Sequence, residues 1–92
     1  MPRDRKAVEA GLKKKGFVQS DNDHHYFTYH TLQGRKSRVF TKTSHGMREL
    51  SDKLLSLMAR QCRLSRADFL QLIDCPMTRV KYEAHLIRSG HI

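Results

Sequence analysis

The stretch Asp23–Gly46, DHHYFTYHTLQGRKSRVFTKTSHG, decides the reading of this chain. Its first part, His24 to Thr31, is dense in aromatic and β-branched residues, which suit a pleated strand. Leu32-Gln33-Gly34 supplies a hairpin connection, with glycine where a positive φ is needed. Ser37 to Thr41 is the returning strand, and Thr43-Ser44-His45-Gly46 closes the segment as a turn. Alternation along the first of these strands puts His24, Tyr26, Thr28 and His30 on one face and His25, Phe27, Tyr29 and Thr31 on the other. Aromatics occupy both faces, so the alternation leaves open which one meets the helices.

Working outward, Phe17 to Gln19 is a short preceding strand, separated from the hairpin by the turn cluster Ser20-Asp21-Asn22-Asp23. Residues 3–15 read as a helix with a narrow apolar stripe of Val8 and Leu12; Gly11 weakens it by about 1 kcal/mol relative to alanine, and Gly16 ends it. After Gly46 the hydrophobic period lengthens. Leu54, Leu57, Met58 and Gln61, with Leu55 and Cys62 beside them, form one face of a second helix. Ser51 caps that helix, and Leu50 with Leu55 forms a hydrophobic staple. Ser65 caps a third helix, Arg66–Asp74, which Cys75 terminates. Thr78 caps a fourth, Arg79–Arg88, which Gly90 stops. The order α-β-β-β-α-α-α predicts a single α+β domain over residues 1–92, a three-stranded antiparallel sheet packed by helices on one face. We take 3–62 as its core and 63–92 as a C-terminal helical extension. Phe17, Phe27, Tyr29 and Phe40 are assigned to the interior. Leu70, Ile73, Val80, Leu86 and Ile87 are assigned to the interior or to contacts between subunits, so an oligomer through the C-terminal helices is open.

The chain of 92 residues, 38% hydrophobic and 29% charged, has the composition of a folded soluble domain. No apolar run is long enough to span a membrane, and the basic N-terminus lacks the apolar core of a signal peptide, so a cytoplasmic protein is expected. Cys62 and Cys75 make no disulfide framework, and their spacing to His85 and His91 does not match a zinc site. The net charge of +9 is concentrated: residues 1–16 carry +4 and residues 34–48 carry +5, with five Lys/Arg and no acid. A cluster of that kind draws polyanions, with nucleic acid the expected partner.

A helix, then Lys15-Gly16-Phe17-Val18, a turn, a strand opening on histidine and an aromatic pair, a glycine hairpin, a strand, His45-Gly46, then Glu49-Leu50 and an amphipathic helix: this order resembles the HicA toxin family. The resemblance covers about residues 5–73 and rests on the spacing of Gly16-Phe17, His24 and His45-Gly46 ahead of Glu49-Leu50. It implies a fold similar to the double-stranded-RNA-binding domain and a ribonuclease acting on messenger RNA without metal or cofactor. It also implies a HicB-like antitoxin as the neutralising partner. Two features depart from the family pattern. Asp21, Asn22 and Asp23 replace the small residues usual before the strand-opening histidine, and the chain continues into a fourth helix.

The resemblance makes His24 the candidate catalytic residue. Cleavage through the 2′-hydroxyl requires proton transfer, for which imidazole is suited, and cations to neutralise charge on phosphorus. Arg35, Lys36 and Arg38, expected beside His24, fill that second role, and Lys42 extends the basic strand toward RNA. Asp23 next to His24 favours the imidazolium, which suits an acid or a phosphate clamp better than a base. Tyr26 is a candidate for stacking on a base or for the core, and His45 for holding phosphate with Ser44 and the amides at the start of the second helix. His25, on the opposite face, is read as structural or as an antitoxin contact. Two alternatives stand beside the ribonuclease: a noncatalytic nucleic-acid-binding module and a basic protein that binds an acidic protein partner.

Overall fold

The computed structural model describes residues 2–74 and 76–92. The chain runs β1 (Arg3–Asp4), α1 (Arg5–Lys14), β2 (Phe17–Asp21), β3 (His25–His30), β4 (Lys36–Thr43), β5 (Glu49–Leu50), α2 (Asp52–Gln61), α3 (Arg66–Ile73) and α4 (Arg79–Arg88). Strands β2, β3 and β4 form the expected antiparallel meander with β3 in the middle, so the fold is α+β. No helix among the described residues is long and apolar enough to cross a membrane.

The helix boundaries follow the caps. Ser51, Ser65 and Thr78 each accept the backbone N–H three residues on, at 3.1–3.2 Å, as expected from their positions. Leu50 and Leu55 are both fully buried at the start of α2, where the staple was predicted. The first helix begins later than residue 3, because Asp4 is its cap and accepts from Ala7 N–H at 3.0 Å. Residues 3 and 4 instead pair with Leu50 and Glu49, a two-residue ladder too short to leave any period in the sequence. The expected end of α3 at Cys75 lies outside the described residues.

β2 and β4 run longer than expected, whereas β3 is shorter, His25–His30, which leaves His24 in the turn before it instead of on the strand. β2 continues to Asp21, which pairs with His25, so the turn shrinks to Asn22-Asp23-His24, closed by Asn22 N–H on the His24 carbonyl at 3.0 Å. Phe27 and Tyr29 answer the question left open by alternation: both are fully buried, and their face meets the helices. On β4 the inward positions are Val39, Thr41 and Thr43. Phe40 is therefore not an interior residue; it is 45% exposed on the opposite face. It shares parity with Lys36, Arg38 and Lys42, and burying those three cations would cost far more than exposing one ring.

One continuous core joins the sheet to all four helices. Val8 and Leu12 meet Phe17, Phe27 and Tyr29, and the helices after residue 62 add Phe69, Leu72, Tyr82 and Leu86 to the same cluster. Ile73 is buried and Leu70 partly so, whereas Val80 and Ile87 point outward. Polar clamps fix α4 to the hairpin. Tyr29 donates its hydroxyl to Glu83 at 2.6 Å, the Leu32 N–H donates to the same carboxylate at 2.8 Å, and Arg79 donates to the His30 carbonyl at 2.9 Å. Burial and the Glu83 hydrogen bond push the Tyr29 hydroxyl up to about 12. Lys15, also buried, spans to the Leu72 and Met77 carbonyls at 2.7 and 2.6 Å.

Gly11, a cost by helix propensity, is used for close approach: a Cβ there would stand 2.8 Å from the Ile73 carbonyl oxygen. Gly11→Ala gains about 1 kcal/mol of propensity but incurs about 1–3 kcal/mol of overpacking where α1 meets α3. A net loss of stability is expected in urea denaturation, and a variant as stable as or more stable than the parent would contradict this contact.

Candidate nucleic-acid interface

Among the described residues no element covers the face of the sheet away from the helices, where Val18 and Phe40 are exposed. Its register places Val18, Thr28 and Phe40 in one row across the three strands, and Ser20, Tyr26 and Lys42 in the next. His30 pairs with Lys36, and Arg38 lies in the irregular stretch between the Thr28 and His30 pairings. There Ser37 repairs the ladder, donating its hydroxyl to the Tyr29 carbonyl at 2.6 Å and accepting from Val39 N–H at 3.1 Å. The Tyr26 and Phe40 rings lie 6.3 Å apart, tilted 46°. Together with Ser20, Asn22, Thr28, Lys36, Ser37 and Arg38 they line a shallow hollow of about 470 Å³. None of those lining residues is acidic. Lys36, Arg38 and Lys42 also stand on an edge strand, where cations discourage unwanted strand pairing.

His24, His25 and His45 lie at the end of the sheet away from the Leu32-Gln33-Gly34 connection, whereas His30 pairs with Lys36 beside that connection. His25 pairs with Thr43, so His24, just before β3, lies near the end of β4. This corrects the expectation that His24 stands beside Arg35, Lys36 and Arg38. Thr43 and Lys36 are the two ends of β4, which separates them by roughly 20 Å at ~3.3 Å per residue. In an antiparallel hairpin the start of one strand must face the end of the next. The cation that does share the His24 hollow is Lys42; that cavity, about 90 Å³, is also lined by Thr43, Ser44, Met47, Leu54, Leu57 and Gln61. The His24 side chain is about one-third exposed, but its Nδ1 is enclosed and has no hydrogen-bond partner; the Asp23 carboxylate stands 3.4 Å away. Tyr26 meets His24 edge-on at 6.1 Å and donates its hydroxyl to Asp23 at 3.2 Å. Burial and that carboxylate raise the Tyr26 phenol above its ordinary value.

His25 and His45 form a contact that the sequence reading missed. Their ring centroids are 3.9 Å apart. His25 Nδ1 is 2.9 Å from the Asp21 carboxylate, and Gln19 donates to the same carboxylate at 2.9 Å. These hydrogen bonds, His25 first and Gln19 second, hold Asp21 below its ordinary value of 3.8 in spite of some burial. His45 also has its Nε2 3.3 Å from the Asn22 carbonyl oxygen. It does not sit at a helix start, because β5 and Ser51 intervene before α2. Arg35 does not line the His24 hollow: with Arg38, Glu83, Ile87 and His91 it lines another at the connection end.

Chemically, one end of the sheet offers a carboxylate-anchored imidazole pair and a third imidazole with a lysine. The open face offers two rings and three cations. Among the described residues no group of three or more His, Cys, Asp or Glu is arranged to hold a metal ion. Burial pushes the Cys62 thiol upward, which makes it a core residue and a poor ligand. No family model, curated protein or solved structure matches the chain.

A depressed carboxyl stabilises the folded state above its unfolded pKa, and that contribution is lost as pH falls through the lower folded value. Carbon-detected NMR titration should therefore find the Asp21 midpoint below 3.8, moving back toward it in His25→Ala. A midpoint at or above 3.8 in the parent chain would contradict the Asp21–His25 bond.

Proposed function

We propose that this chain is an RNA-binding protein that cleaves RNA at the histidine end of its sheet, in the manner the HicA resemblance implies. The observation that carries the reading is the joining of two surfaces at Tyr26 and Lys42. The cation-bearing open face runs down to these residues, and each of them also adjoins His24. In this reading the RNA lies along β4 with flanking phosphates on Lys36, Arg38 and Arg35, and the reacting phosphate sits at Lys42. Cleavage proceeds by loss of the 2′-hydroxyl proton, attack of that oxygen on phosphorus and protonation of the departing 5′-oxygen. The 2′-hydroxyl proton passes to water, His24 protonates the departing 5′-oxygen as the P–O5′ bond breaks to leave a 2′,3′-cyclic phosphate, and Lys42 neutralises charge on the phosphoryl oxygens. Lys42 thus takes the role first assigned to Arg35, Lys36 and Arg38, which become binding residues. The His25–His45 pair, anchored by Asp21, holds the end of the site in shape and exposes a second imidazole. A HicB-like antitoxin that covers this end would neutralise the activity.

The enclosed Nδ1 of His24 and the adjacent Asp23 favour a second reading, in which the same face binds RNA without cutting it. The two separate in one assay. Purified protein with single-stranded RNA and a chelator should yield products, and His24→Ala should slow cleavage about 100-fold or more with the circular dichroism spectrum unchanged. Salt-sensitive RNA retention with no products would select the noncatalytic reading. Failure to retain RNA even at low salt, together with tight retention of an acidic protein, would select the reading with an acidic protein partner.

A further inference from the structure

We propose that the open face of the β2-β3-β4 sheet is a site for an unpaired RNA strand, with two neighbouring bases stacked on Tyr26 and Phe40. The inference rests on the RNA-binding reading and specifies which form of RNA is bound and by what contacts.

Phe40 is the starting point. A phenyl ring 45% exposed on a sheet face is a standing cost in water, and no helix among the described residues covers it. Its diagonal neighbour across the strand pair is Tyr26, partly exposed on the same face. The ring separation discriminates between nucleic-acid forms. Stacked nucleotides in a duplex strand advance by ~3.4 Å, about half of the 6.3 Å between these rings. The 46° tilt between the ring planes adds to the mismatch with a regular stack. Bases can meet both rings only if they are splayed apart, which an unpaired strand permits and a duplex prevents.

The charge pattern fits the same occupant. On the face of β4, Lys36, Arg38, Phe40 and Lys42 alternate with the inward residues, so cations stand on both sides of the Phe40 ring. Among the described residues their three side chains have no ion-pair or hydrogen-bond partner. A phosphate chain crossing along this strand would meet a positive charge before and after the stacked bases. An acidic protein surface would satisfy the cations and would leave the two rings without a counterpart. Rings flanked by unpaired cations are the combination by which single strands are held with little regard to sequence.

The test uses the intact chain and a fluorescein-labelled twelve-nucleotide 2′-O-methyl oligouridylate, which has no nucleophilic hydroxyl and keeps binding apart from cleavage. A blunt duplex of the same backbone chemistry and length is the comparison, both by anisotropy at about 100 mM salt. The single strand should bind at least ten times more tightly than the duplex. Phe40→Ala should weaken single-strand binding about 5- to 100-fold with the duplex little affected, and Phe40→Trp should restore it. Phe40 is on the surface, so both variants are expected to keep the parent's circular dichroism. Lys36→Ala should weaken both ligands alike. Equal affinity for the two forms, or a Phe40→Ala variant that binds the single strand unchanged, would overturn this inference and leave RNA binding standing. Absence of binding to either form at low salt would overturn both.

Discussion

The two-residue repeat of β4 is the constraint on which the rest of the molecule depends. Lys36, Arg38 and Lys42 share a parity, and no arrangement of a small domain can bury three lysine and arginine heads together. Their side of the sheet must face water, and Phe40 goes with them. Val39, Thr41 and Thr43 must then turn inward, which decides that Phe27 and Tyr29, and not Tyr26, lie against the helices. The two inward threonines are not stranded there. Thr41 donates to Gln61 at 2.7 Å and Thr43 to Glu9 at 2.6 Å, so the same parity also dictates which polar groups α1 and α2 must present.

Glu9 shows how far that requirement reaches. Nearly buried, it takes the Thr43 hydroxyl and an ion pair from Arg5 at 3.0 Å. Arg5 in turn donates to the Met47 carbonyl, and its backbone N–H donates to Arg48 at 2.9 Å. The loop after β4, which carries His45, is thereby fastened to the first helix. The His25–His45 contact is consequently held from both sides, by the Asp21 hydrogen bond on β2 and by this anchored loop.

Most of the architecture was legible in the sequence because its signals are local. Ser51, Ser65, Thr78, Gly34 and Gly90 mark boundaries through their own hydrogen bonds or backbone angles, and those boundaries hold. Phe40 was assigned to the interior with the other rings, although Arg38 and Lys42, two positions to either side, argue for its exposure. The distance between His24 and the Arg35–Lys36 end followed from hairpin arithmetic once pairing was assumed. The β1–β5 ladder and the His25–His45 contact were not legible. The first is too short for any period, and the second joins residues 20 positions apart, through a register that only the folded sheet defines.

Ser37, at the bulge, has an effect that reaches the binding face. With its hydroxyl closing the gap in the ladder and Glu83 and Arg79 gripping the neighbouring backbone, the hairpin has little freedom to rearrange. A backbone held in so fixed a frame surrenders little motional entropy when a ligand arrives, which leaves the long cationic side chains as the protein's main ordering cost. Most of the ordering cost of association would then fall on the flexible guest, so stiffer polymers of the same charge and base content should be favoured over limp ones wherever their shape still allows them to lie flat.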